Sequence, residues 1–185
     1  MNKNSKAVLI AIISVLSVAV IALAVLLVLE ATGAIYGDAD TVVITPPERD
    51  GSPVVKGGDY DYCLLKDGTV MITACALPSD TVTINVPEEL GGYKVSAIGD
   101  SAFAFYTDLQ SVRLPEGVTY IGKNAFFGAV NASLYLPSTL TQIEHGALAG
   151  FDEPAGIYYA GSAQQWAEVK VGDDNAALVR IRFEK

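Results

Sequence analysis

Residues 7–29 read AVLIAIISVLSVAVIALAVLLVL, an apolar run without charge in which only Ser14 and Ser17 are polar. As a helix rising about 1.5 Å per residue it would be about 34 Å long, enough to cross a hydrocarbon core of about 30 Å. Lys3 and Lys6 precede it, and Glu30, Asp38 and Asp40 follow. The positive-inside bias therefore predicts a cytoplasmic tail at 1–6, a signal anchor at 7–29 and an extracellular remainder. The rival reading is a signal peptide cut after Ala34, but such apolar regions run to only about 7–15 residues. Between 30 and 57 the pattern dissolves into Gly, Pro, Asp and Thr, including Pro46-Pro47 and Gly51-Ser52-Pro53. This reads as a flexible stalk spanning about 30 Å root-mean-square. Its β-prone run Thr41–Thr45 is too short to be stable alone.

From residue 58 onward short apolar alternation takes over. Two β-prone runs flank Asp67-Gly68, a hairpin signal. A two-residue loop there would pair Lys66 with Thr69, Cys63 with Ile72 and Tyr60 with Cys75. The chain then repeats itself. Ile84-Asn85-Val86-Pro87 returns as Val112-Arg113-Leu114-Pro115 and as Leu134-Tyr135-Leu136-Pro137. Ile98-Gly99-Asp100-Ser101-Ala102-Phe103 returns as Ile121-Gly122-Lys123-Asn124-Ala125-Phe126, and in altered form as Ile143-Glu144-His145-Gly146-Ala147-Leu148. The isoleucines lie 23 and 22 residues apart, and the prolines 28 and 22, because Glu88–Tyr93 inserts a loop in the first unit. Each apolar-x-apolar-Pro predicts a short strand with two side chains facing inward, ended by a proline that removes a ladder donor. Ile, Ala and Phe then turn back to fill the interior, with Gly99 and Gly122 permitting a tight bend. One such unit cannot bury its apolar face alone; stacked units share a core and need caps. A further strand is due at Ile157-Tyr158-Tyr159, and a short helix at Ser162–Val169. Trp166, the sole tryptophan, is expected to cap the last repeat.

The pattern Val/Leu-x-Leu-Pro-x-x-Val/Leu-x-x-Ile-Gly-x-x-Ala-Phe resembles the BspA-like leucine-rich repeats of bacterial surface proteins. The resemblance covers about residues 58–185. Tyr60–Thr73 looks like the hairpin that often precedes such repeats, Gly91-Gly92-Tyr93-Lys94-Val95 like their G-Y-K-V start, and Ile157–Gly161 with Gln165-Trp166 like their end unit. Glu144 stands where Gly is expected and Leu148 where Phe is expected. The resemblance implies a solenoid of short parallel strands with turns and short helices: a hairpin cap at 58–77, repeats at 82–150 and a C-terminal cap at 155–185. It also implies adhesion or protein contact rather than catalysis.

Charge narrows the partners. The net formal charge is −9, and after the two lysines of the tail the remaining 10 cations face all 21 carboxylates. Such a surface repels phosphate backbones, so nucleic acid is excluded as a partner. Chemistry-bearing groups are sparse. His145, the only histidine, matches the outward positions Asp100 and Lys123, without the orienting acid and nucleophile that catalysis requires. The pairs Asp152-Glu153 and Asp173-Asp174 lack the spacing of a calcium loop. One histidine and two separated cysteines make no zinc site, so neither metal nor cofactor is expected. Cys63 and Cys75 would lie on opposite faces of the hairpin, out of disulfide reach.

Strand alternation supplies the candidate binding site. If Val112, Leu114, Leu134 and Leu136 face inward, then Ser111, Arg113, Ser133 and Tyr135 face outward, and so do Thr83, Asn85 and Tyr158. With strands about 4.8 Å apart, Asn85, Arg113, Tyr135 and Tyr158 would form one row. Arg and Tyr are favoured interface anchors. The expectation is a membrane-anchored module that engages an external protein or glycan through this row. The alternative is a self-associating envelope scaffold without an external ligand.

Overall fold

The computed structural model describes residues 44–151 and 156–183. The expected anchor at 7–29, the stalk as far as residue 43 and Asp152-Glu153 lie outside the described residues. Among the described residues, no helix is long and apolar enough to cross a membrane.

The repeats coil. A hairpin of β1 (Tyr60–Leu64) and β2 (Val70–Cys75) leads into coils that place one strand on each of two sheets. The first sheet takes β3 (Thr83–Asn85), β6 (Ser111–Arg113), β8 (Ser133–Leu136), β10 (Gly156–Tyr159) and β12 (Ile181–Phe183), all paired in parallel. The second takes β5 (Tyr93–Ile98), β7 (Tyr120–Ile121), β9 (Gln142–Ile143) and β11 (Lys170–Val171), with the hairpin on one edge. The short β4 (Glu89–Leu90) folds back antiparallel onto β5, absorbing the loop inserted in the first unit. The third side of each coil is turns, so the repeats build a β-solenoid without helices. Among the described residues helix appears only in the C-terminal cap, as α1 (Ala163–Trp166) and a 3-10 turn at Ala176–Arg180. The expected helix over 162–169 is thus shorter. Ser162 caps it and exchanges hydrogen bonds with Gln165, and the chain leaves the helix at Ala167.

The interior is built as the repeat predicts. Ile84, Val112, Leu134 and Ile157 stack from the first sheet, and Ile98, Ile121 and Ile143 from the second. On the turn side Phe103 lies flat against Phe126, with ring centroids 5.2 Å apart and planes 8° from parallel.

Three local expectations are corrected. Gly99 and Gly122 do not make the bend. The left-handed backbone falls two residues later, at Ser101, Asn124, Gly146 and Asp174, whose φ values are 55°, 53°, 63° and 57°. Gly122 is needed because the coils approach closely: a Cβ there would stand 2.7 Å from the Asp100 nitrogen and 2.8 Å from the Gly99 carbonyl carbon. The hairpin loop holds three residues rather than two. Leu65 N–H donates to Thr69 O at 2.9 Å, Asp67 Oδ1 accepts from Thr69 N–H, and Gly68 takes the left-handed position at φ 82°. Cys63 therefore faces Met71 rather than Ile72, and a bulge after Asp61 restores the pairing of Tyr60 with Cys75. Both thiols are free.

The third correction concerns the stalk. Residues 44–56, read as its end, lie along the domain. Arg49 bridges Leu65 and Val55 bridges Tyr62, which covers the free edge of β1. Ile44 packs on Leu65, Ala97 and Tyr120, and Thr45 N–H donates to Gln142 Oε1 at 3.0 Å.

Four interior tyrosines tie stability to alkaline pH. Burial, with Cys75 and Asp59 adding, pushes the Tyr60 phenol from 10.0 up to about 12. Burial likewise raises Tyr106, Tyr120 and Tyr159. The fold favours the neutral phenol, so this contribution is complete below pH 10 and is lost as pH rises through the folded value. Urea midpoints are expected to hold steady from pH 8 to about 10 and to fall steeply by about pH 12. A midpoint unchanged at pH 12 would contradict this account.

Candidate functional site

The row expected on the first sheet exists in register. Asn85 pairs with Arg113, Arg113 with Tyr135 and Tyr135 with Tyr158. The inward partners Ile84, Val112, Leu134 and Ile157 are at most 1% exposed, which fixes the opposite set outward. Arg182 on β12 extends the row beyond the residues read from sequence, pairing with Tyr158.

The side chains touch along the row. The Arg113 guanidinium sits 4.0 Å above the centre of the Tyr135 ring. Tyr135 and Tyr158 stack with centroids 4.9 Å apart and planes 12° from parallel. The Arg182 guanidinium lies 5.7 Å from the centre of the Tyr158 ring, and its Nη1 donates to the Tyr158 hydroxyl at 3.2 Å. The result is an ordered Arg-Tyr-Tyr-Arg stack whose ring edges, hydroxyls and guanidinium N–H groups face solvent. Among the described residues neither arginine is in a salt bridge. Beside the row on the amino-terminal side of the strands runs a shelf of small residues, Thr83, Ser111 and Ser133, while Gly156 is buried under the Tyr158 ring. On the other side lies a groove of about 310 Å³, walled by Pro115, Pro137, Glu88 and Glu116. The Glu116 carboxylate accepts from Ser138 N–H and Oγ, each at 3.1 Å.

The second sheet offers no such face. Its outward row is Met71, Ala97, Tyr120, Gln142 and Lys170. Ala97 is 0% exposed and Tyr120 4%, because Leu65 and Ile44 lie over them. The Tyr120 hydroxyl is buried as well and donates to Glu144 Oε1 at 3.3 Å. Cys63 lies on this face, and burial pushes its thiol up, away from the reactive thiolate.

His145 is exposed, with Nε2 3.2 Å from the equally exposed Asp174 Oδ2 and no serine or cysteine beside it among the described hydrogen bonds. Among the described residues no group of three or more potential metal ligands gathers. Trp166 packs edge-on against Tyr159 at 5.1 Å, a cap contact at the end of the core. One residue that the sequence reading passed over closes the C-terminal end. Asn175 is 8% exposed; its Nδ2 donates to the carbonyls of Glu144, Gly172 and Asp173, and its Oδ1 accepts from Leu148 N–H at 3.0 Å. In the two preceding coils the equivalent N–H groups, of Phe103 and Phe126, reach the carbonyls of Ala125 and Ala147. The Asn175 side chain stands in for the coil that would come next.

Comparison with known proteins agrees with this architecture. A leucine rich cell surface protein from Faecalibacterium prausnitzii A2-165 is 26% identical, with a TM-score of 0.54 over 69% of this chain and 34% of its own. The T. pallidum leucine rich repeat protein is 23% identical, with a TM-score of 0.54 over 67% of this chain and 56% of its own. A leucine-rich repeat protein from Bacteroides capillosus ATCC 29799 is 23% identical, with a TM-score of 0.54 over 72% of this chain and 100% of its own. This chain thus spans about a third of the first protein and somewhat over half of the second. Nothing among curated proteins matches it. Residues 79–160 match the family described as BspA type Leucine rich repeat region, in six copies. Over residues 79–160 the repeats of this chain are therefore similar to BspA-type leucine-rich repeats.

Proposed function

We propose that the chain is a membrane-anchored, extracellular binding module that engages a protein or glycan through the row Asn85, Arg113, Tyr135 and Tyr158, and is not an enzyme. One observation carries the reading: the chain's own segment covers the middle of the second sheet's outward row, at Ala97 and Tyr120, while the outward row of the first stands open and holds pre-ordered arginine and tyrosine side chains. Order before binding matters, because immobilising a rotamer-rich side chain costs about 0.5–1.5 kcal/mol on association. Residues 7–29 supply the anchor and the two N-terminal lysines its orientation. The similar F. prausnitzii protein is a leucine rich cell surface protein, which supports the same placement.

Full-length chain immobilised in detergent should retain a component of envelope or matrix extracts. The Arg113, Tyr135 and Tyr158 triple-alanine variant should lose at least ten-fold in retention while keeping its circular dichroism spectrum. Equal retention by the two proteins removes the row from the site.

A further inference from the structure

We propose that the occupant of the first-sheet row is an extended acidic segment of a partner protein, lying across the strands with carboxylates four residues apart on Arg113 and Arg182. This rests on the binding-module reading and specifies its ligand.

Carbohydrate rings dock on open aromatic faces. Here one face of Tyr135 lies against Tyr158 and the other is covered by Arg113, while the outer side of Tyr158 carries Arg182. Neither face of Tyr135 is left for a sugar, and the Tyr158 hydroxyl is tied to Arg182. Beyond Asn85, the row presents two cations, Arg113 and Arg182, with two phenol edges between them.

Charge points the same way. In a chain of net charge −9, Arg113 and Arg182 stand outside any salt bridge among the described residues. Guanidinium forks match carboxylates in two-point hydrogen bonding, and stacking on tyrosine holds their planes ready for it. Arg113 and Arg182 lie three strands apart, which is about 14 Å at about 4.8 Å per strand. An extended peptide advances about 3.4 Å per residue, so side chains at i and i+4 fall on one face about 14 Å apart. The spacing also discriminates. Glu88 and Glu116 line the groove beside Arg113, so a densely charged polyanion laid there would meet repulsion. A peptide with two separated carboxylates places its charge only at the guanidinium groups, and its intervening uncharged side chains meet the phenol edges.

The test uses the full-length chain in detergent and a fluorescein-labelled nine-residue peptide with glutamates at positions 3 and 7 on a Thr/Val background. Fluorescence polarisation is expected to show saturable binding that weakens at least ten-fold when both glutamates become glutamine, and several-fold when they are made adjacent at positions 4 and 5. Arg113→Gln and Arg182→Gln should each weaken binding at least five-fold, whereas Arg113→Lys should recover part of the loss by keeping the charge. Because both arginines are exposed, the variants are expected to melt like the parent protein. Equal binding of the glutamate and glutamine peptides, or no binding at millimolar peptide, overturns the inference. A galacturonate oligomer bound in place of the peptide, and lost on Arg113→Gln, would overturn the acidic peptide while leaving the row as the site. Retention of extract components by the triple-alanine variant would remove both.

Discussion

Replacing Phe126 with alanine is expected to lower the stability of the repeat domain by about 3–5 kcal/mol. The ring is 0% exposed and stacks on Phe103 in the preceding coil. In the following coil the equivalent position holds Leu148, also buried. Alanine there opens a cavity in the middle of the stack, and the aromatic pair adds about 0.5–1.5 kcal/mol beyond its buried area. The location raises the effect. In a stacked array each unit is held only by its neighbours, so a defect in a central coil weakens the contacts on both of its sides. A domain of this size is typically stable by about 5–15 kcal/mol, so the loss is a large share of the total. Trp166, the only tryptophan, reports unfolding at the C-terminal end through its contact with Tyr159. The urea midpoint followed by its fluorescence should drop sharply. The Phe103→Ala and Phe126→Ala pair should be non-additive, since the two rings touch. A shift worth under about 1 kcal/mol would mean that the coil collapses around the gap and that the column is not what binds the repeats together.

The second large effect is expected at Asn175. Alanine there removes one acceptor and the donor of three hydrogen bonds. The Leu148 N–H, in a residue 2% exposed, is then left without a partner, and an orphaned buried group costs about 1–3 kcal/mol. The effect should be local. Amide exchange is expected to quicken at Gly146–Leu148 and across α1, while the coils around Ile98 and Ile121 keep their protection. Asn175→Asp separates hydrogen bonding from shape. Its carboxylate still accepts from Leu148 but turns an anion towards three carbonyl oxygens, so it should rescue nothing at neutral pH. An aspartate variant as stable as the parent would show that Leu148 alone needs the residue.

Much of this protein is legible in the sequence because its signals are local and periodic. Apolar-x-apolar-Pro forces alternate side chains inward, and a single inward set on each strand fixes the outward row without further information. The spacing of Ile84, Val112 and Leu134 by itself places Asn85, Arg113 and Tyr135 in line. Arg182 escapes this logic because β12 follows the cap rather than a repeat. The only sign of it is the alternation in Ile181-Arg182-Phe183.

What the sequence determined by itself, then, is the coil and the direction each strand residue faces, since both follow from a period of two set within a repeat of about 22 residues. Contacts between residues far apart in the chain were decided only in three dimensions. Ile44 and Thr45 cover the second sheet although nothing in a Pro- and Asp-rich stretch marks where it will dock. Gly122 is required by the coil below it rather than by its own backbone angle, because a Cβ would strike Asp100 and Gly99. Asn175 closes the stack because a finite solenoid leaves the hydrogen bonds of its last coil unmet, and a side chain with both a donor and an acceptor can take the place of a missing peptide group. Which of the two sheets stays open to a partner follows from the first of these contacts, and no repeat pattern encodes it.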